Sequence, residues 1–114
     1  MSHDLSSDRP PANIYEANGQ LSVVIPVPGA HQEHTGITMT SDHLRVDANC
    51  KYSQDSQNYL RHDWKVGRWQ LDLDLPKRVD ASRARATLNL GVLVVMAPVS
   101  DAAAGEHRVA VVDH

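Results

Sequence analysis

The stretch Ala84 to Pro98, ARATLNLGVLVVMAP, constrains this chain most: two apolar strand patterns meet at a single glycine, and a proline closes the second. Ala84, Ala86, Leu88 and Leu90 recur two apart and so share one face of an extended strand, with Arg85, Thr87 and Asn89 on the other. Val92 to Ala97 is apolar at every position, the pattern of a strand covered on both faces. No catalytic side chain lies in the stretch, which leans towards binding rather than chemistry.

The rest of the chain repeats this strand-and-turn grammar. Residues 1–12 are polar around Pro10-Pro11 and read as a flexible N-terminal arm. Ile14-Tyr15-Glu16 gives a short strand, Asn18-Gly19 a hairpin turn, and Leu21, Val23, Ile25 and Val27 an alternating strand whose far end Pro26 demotes to an edge or bulge. His31 to Thr35 reads as a loop, Ile37 and Met39 as a strand, and Leu44, Val46 and Ala48 as the next one after the Ser41-Asp42 turn. Asn49 to Asn58 is polar and without period, the longest loop of the domain, and Tyr59 to Asp63 reads as an isolated strand. After a turn at Val66-Gly67-Arg68, Trp69, Leu71, Leu73 and Leu75 alternate with Gln70, Asp72 and Asp74 until Pro76. Lys77 to Ser82 reads as a charged connection. Residues 99–114 read as a C-terminal extension, in which a small, polar linker over Val99–Glu106 separates a last β-like segment, His107 to Val112, from the core. Such a strand requires a neighbour. Nowhere does an apolar period of 3.6 persist over three turns, so the fold is expected to be all-β, with one helical turn at most at Asp101–Ala104.

The 114 residues suit one domain, here 13–98, and 41% hydrophobic residues suffice for a core. Phenylalanine is absent, so that core must come from Val, Leu, Ile and Ala. A net charge of -3 argues against nucleic-acid and membrane-surface partners, which need a basic field. The first residues show no basic n-region or apolar h-region and Cys50 is the single cysteine, so a soluble, cytoplasmic protein is expected.

Candidate chemistry is thin. His31 and His34 flank Glu33 but lack the further ligands a zinc site needs, so no metal or cofactor is expected. There is no Gly-x-Ser-x-Gly turn and no Gly-rich phosphate loop, and Asp72 and Asp74 read as a solvated strand face. No enzyme is expected. Trp69 is in register with leucines and reads as core, and Trp64 as core or an interface anchor.

The order of these features resembles the alpha-crystallin domain of the small heat-shock proteins. Ala86-Thr87-Leu88-Asn89-Leu90-Gly91-Val92-Leu93 is similar to that family's A-x-x-x-N-G-V-L, with Leu90 in the place of the usual Asn. Ile14-Tyr15-Glu16, the Val27-Pro28-Gly29 turn, Gly67 to Pro76 and the tail Val109-Ala110-Val111, in place of I-x-I/V, follow in the family's order. The resemblance implies an immunoglobulin-like β-sandwich acting in the stress response as an ATP-independent holdase, which binds unfolding client proteins and prevents their aggregation. It implies a homodimer by strand exchange, with Tyr59, Leu60 and Arg61 crossing to Ile14, Tyr15 and Glu16 of a second copy. It also implies a tail whose knobs, Val109 and Val111, dock into a groove of Ile37, Met39, Ala86 and Leu88 on a neighbouring dimer. The arm before Ile14 is short and without Phe, and Val is smaller than Ile, so a dimer or small oligomer is expected rather than a large shell. The alternative is a CS-domain-like co-chaperone or protein-interaction adaptor, which shares the sandwich but lacks the tail motif and the long loop.

Overall fold

A computed structural model describes residues 9–51, 56–63, 68–101 and 105–113 of the chain. Among these residues nine strands are assigned: β1 Asn13–Ala17, β2 Gln20–Pro26, β3 Thr35–Met39, β4 His43–Asn49, β5 Arg68–Asp74, β6 Arg85–Asn89, β7 Val92–Pro98, β8 His107–Arg108 and β9 Val111–Asp113. The described residues contain no α-helix, only single 3-10 turns at Gln32–His34 and Ala81–Arg83. None of their helices is long and apolar enough to cross a membrane.

The strands form a five-stranded sheet, β1-β2-β7-β6-β9, against a four-stranded one, β5-β4-β3-β8. This is the all-β sandwich expected from the alternation. The inward residues of both sheets make one core: Leu21, Val23 and Ile25 from β2, Ile37 and Met39 from β3, Leu44 and Val46 from β4, and Leu93 and Val95 from β7 are all buried. Each such apolar side chain contributes about 1.5–3 kcal/mol relative to leaving it in water.

Two tight turns carry the hairpins of the larger sheet. Asn18 and Gly19 have φ of 55° and 75°, and Leu90 and Gly91 have 53° and 78°. Positive φ at both central residues is the type I′ pattern, whose twist matches the flanking strands. Gly91 is further constrained by Pro28, whose Cα would lie 3.3 Å from an added Cβ. Leu90 takes the left-handed conformation although leucine fits it poorly, and its side chain is 95% exposed.

Pro26 ends β2 beside Val92 of β7, beyond the last β1 pair, Asn13↔Val24, so its missing N–H breaks no ladder with β1. β7 is covered on its inner face only: Leu93, Val95 and Ala97 are buried, whereas Val92 is exposed and Val94 and Met96 are half-buried. The expected second covering layer is not found among the described residues. Tyr59 to Asp63 is not a strand, because it joins neither sheet of its own chain and an extended segment becomes a strand only within a ladder. The connection Lys77–Ser82 is more than a charged link. Val79 and Ala81 are buried, Val79 bridges to Val99, and the Val79 N–H donates to the Ser41 carbonyl at 2.8 Å. Val99 is correspondingly packed, its N–H donating to the Gly19 carbonyl at 2.8 Å, so the start of the expected linker is part of the fold.

Candidate functional site

Among the described residues the sandwich presents three backbone features that can recruit another segment: the outer edges of β1 and β5, which each end a sheet, and the edges of β3 and β6, which pair with β8 and β9 of the C-terminal segment. Among the described residues β1 pairs only with β2 and ends its sheet. On it Ile14 is half-buried against the core, Tyr15 is exposed, and Glu16 accepts a hydrogen bond from Lys77 Nζ at 2.6 Å. Tyr59, Leu60 and Arg61 are not brought to β1 within the chain. They lie at the surface, with Leu60 97% exposed, the Tyr59 ring stacked on His62 at 4.1 Å, and Arg61 Nε donating to Asp63 at 3.0 Å.

Ile37 and Met39 of β3 and Ala86 and Leu88 of β6 are all buried. The C-terminal segment lies on them. β8 runs antiparallel to β3, with Met39↔His107 and Thr38↔Arg108, and β9 runs parallel to β6, with Ala86↔Val111 and Thr87↔Val112. The chain therefore changes sheets between Arg108 and Val111. At the change Val109 is 6% exposed, and its N–H donates to the Ile37 carbonyl at 2.9 Å. Val111 packs on the core, while Ala110 and Val112 face out. Within the single chain the segment lies along its own domain.

One contributor was invisible in the sequence. Gln32, in a loop read only for its flanking histidines, donates through Nε2 to the Val111 carbonyl at 2.9 Å. The 3-10 turn that aims it is capped by His31, whose Nδ1 accepts the Glu33 N–H at 3.2 Å. With donor and acceptor separated by 79 positions in the sequence, no local signal marks the pair.

The remaining candidates resolve into structural roles. The His31 and His34 rings are 5.7 Å apart and tilted, and no group of three or more potential metal ligands occurs among the described residues. Asp72 and Asp74 share the exposed face of β5, but both bind His43 of β4: Asp74 Oδ1 lies 3.0 Å from Nδ1, and Asp72 meets Nε2. The hydrogen bond to Asp74 leads in raising the His43 pKa above its ordinary 6.5. Asp80 caps the Ala81–Arg83 turn by accepting from the Ser82 hydroxyl and N–H, which holds its carboxyl below the usual range. Trp69 is half-buried against the core, its Nε1 donating to the Pro28 carbonyl at 3.0 Å. Trp64 lies outside the described residues, as do positions 1–8 of the arm, 52–55 of the long loop, 65–67 at the expected turn, and 102–104, where a single helical turn was expected.

The comparisons agree with this fold. The family model of the Hsp20/alpha crystallin family matches residues 13–112. Heat shock protein 16.0 from Schizosaccharomyces pombe superposes with a TM-score of 0.71 at 19% identity, over 90% of this chain and 74% of that one. The hspA protein from Xanthomonas axonopodis gives 0.70 at 21% identity, over 85% and 99%. A small heat-shock protein from Xylella fastidiosa gives 0.66 at 23% identity, over 84% and 90%. No curated protein matches the sequence directly.

Proposed function

The chain belongs to the Hsp20/alpha crystallin family of small heat-shock chaperones, and from that premise we propose that it is an ATP-independent holdase of the cytoplasm that keeps unfolding proteins from aggregating. The observation that carries this reading is the family match over residues 13–112, nearly the whole chain. Its working unit is a homodimer. Tyr59, Leu60 and Arg61 of one copy add as a strand to Ile14, Tyr15 and Glu16 of the other, a β-augmentation in which backbone bonds give affinity and Leu60 is withdrawn from water. The open edge of β1 and the exposure of Leu60 support that pairing. Val109 and Val111 are the knobs of the tail, and Ile37, Met39, Ala86 and Leu88 floor the groove that takes them. A groove with a seated tail also weighs against the adaptor alternative.

The test is turbidity of a heat-labile enzyme warmed with an equal mass of the purified chain. Suppressed scattering is the expected result, and scattering equal to that of the enzyme alone removes the holdase reading.

A further inference from the structure

We propose that Asn18 is a site of spontaneous covalent modification: its side-chain amide is lost by ring closure onto Gly19, and the isoaspartate that forms undoes the β1–β2 turn and loosens the outer strand β1.

The chemistry requires an asparagine followed by a residue whose backbone nitrogen is unshielded. The chain has five asparagines, and four of them precede Ile14, Cys50, Tyr59 or Leu90, whose side chains crowd the nitrogen that would attack. Three of those four, Asn13, Asn49 and Asn89, are also held extended in strands by their partners Val24, Arg68 and Val92. Only Asn18 precedes a glycine. Asn18 and Gly19 are both exposed, and a Cβ added at Gly19 would meet nothing within 4 Å, so water and base reach the junction.

In the first step the Gly19 nitrogen attacks Asn18 Cγ. The N–Cγ bond forms, the Cγ–Nδ2 bond breaks, and the proton of the Gly19 N–H leaves with Nδ2 as ammonia. Water then opens the five-membered ring at one of its two carbonyls, with no change of oxidation state. Opening at Cγ gives aspartate in a normal chain. Opening at the Asn18 backbone carbonyl gives isoaspartate, whose chain runs on through Cγ. The native turn sets the pace. With φ of 55° Asn18 is left-handed, a region centred on a ψ of about +47°, whereas ring closure needs ψ swung to negative values. Closure therefore proceeds from an opened turn, and this turn lies beyond the last ladder pair, Ala17↔Gln20, at the end of an edge hairpin where opening costs least.

The two products differ in their effect. Aspartate tolerates the left-handed conformation and keeps the turn. Isoaspartate lengthens the backbone between Ala17 and Gly19, and a two-residue type I′ turn does not accommodate the extra methylene. The Ala17↔Gln20 pair is then lost, and the Gly19 carbonyl is drawn away from the Val99 N–H that donates to it at 2.8 Å. Among the described residues β1 pairs with β2 alone, so no second neighbour holds it in place.

The test incubates the full chain in warm, mildly alkaline buffer, below its unfolding transition and in parallel in urea, until the unfolded sample has lost its Asn18 amide. Peptide mass spectrometry reads the replacement of amide by acid at each asparagine, and isoaspartyl methyltransferase reads the isoaspartate. Conversion at Asn18 ahead of the other four asparagines in the native chain is expected, slower than in urea and with isoaspartate among the products. An Asn18 amide that stays intact in the native chain, or another asparagine that converts first, overturns the site. The isoaspartate form, separated by charge and methylation, is then compared with Asn18→Asp by hydrogen exchange. Loss of Val99 amide protection in the isoaspartate form but not in Asn18→Asp is expected, and equal protection in the two overturns the loosening of β1. Neither readout involves a client or a second copy, so failure of the chaperone reading leaves both outcomes standing.

Discussion

Replacing Leu90 by asparagine should stabilise the domain. The chain contains its own control, since the turns at Asn18-Gly19 and Leu90-Gly91 have nearly the same backbone, with φ of 55° and 53° at the first position. A left-handed residue with a branched apolar side chain costs about 1–2 kcal/mol, and asparagine escapes most of that through local hydrogen bonding of its short side chain. Leu90 is 95% exposed, so its removal forfeits almost no burial in the isolated chain. The net expectation for Leu90→Asn is a gain of about 1 kcal/mol, an upward shift of roughly 4–8 °C in Tm for a domain of this size. The reciprocal change, Asn18→Leu, should lower stability by a similar amount. Both are measured by urea unfolding at one matched protein concentration, because association also shifts apparent stability. A midpoint that stays put or falls for Leu90→Asn, with an unchanged urea dependence, refutes the argument from backbone strain.

Three further outcomes follow from the same structure. His43, with its pKa raised chiefly by the hydrogen bond to Asp74, binds its proton more tightly folded than unfolded, so its contribution is complete below pH 6.5 and is lost as pH rises through the folded value. Its side chain is half in water, so the contribution is below about 1 kcal/mol, and His43→Gln should flatten that part of the stability–pH curve. Val79→Ala should cost roughly 2 kcal/mol in urea unfolding, since Val79 is fully buried although it belongs to a connection that reads as surface. Leu60→Asp should leave the unfolding midpoint of the dissociated chain within about 0.5 kcal/mol, because it touches no core. In sedimentation the same variant should run as a monomer; an intact dimer would rule out the proposed strand exchange.

The alternation of Leu21 to Ile25, of Leu44 to Ala48 and of Trp69 to Leu75 determined the all-β sandwich and its inner faces, because a period of two leaves only one way to bury those residues. The Asn18-Gly19 turn was equally legible, its chemistry being local. Legibility ended where a residue's role depended on a partner far along the chain. Val79 reads as part of a charged link, and only the approach of Ser41 and Val99 buries it. Tyr59 to Asp63 has strand composition but joins neither sheet of its chain, and composition alone cannot supply the hydrogen bonds of a ladder. Gln32 gains its role only because the closed sandwich carries Val111 to it. Val109 and Val111 were visible as a two-residue period at the end of the chain, but a period says only that the segment is extended with one apolar face. Which edges receive it was decided by the tertiary structure, which leaves β3 in one sheet and β6 in the other with backbone groups to satisfy.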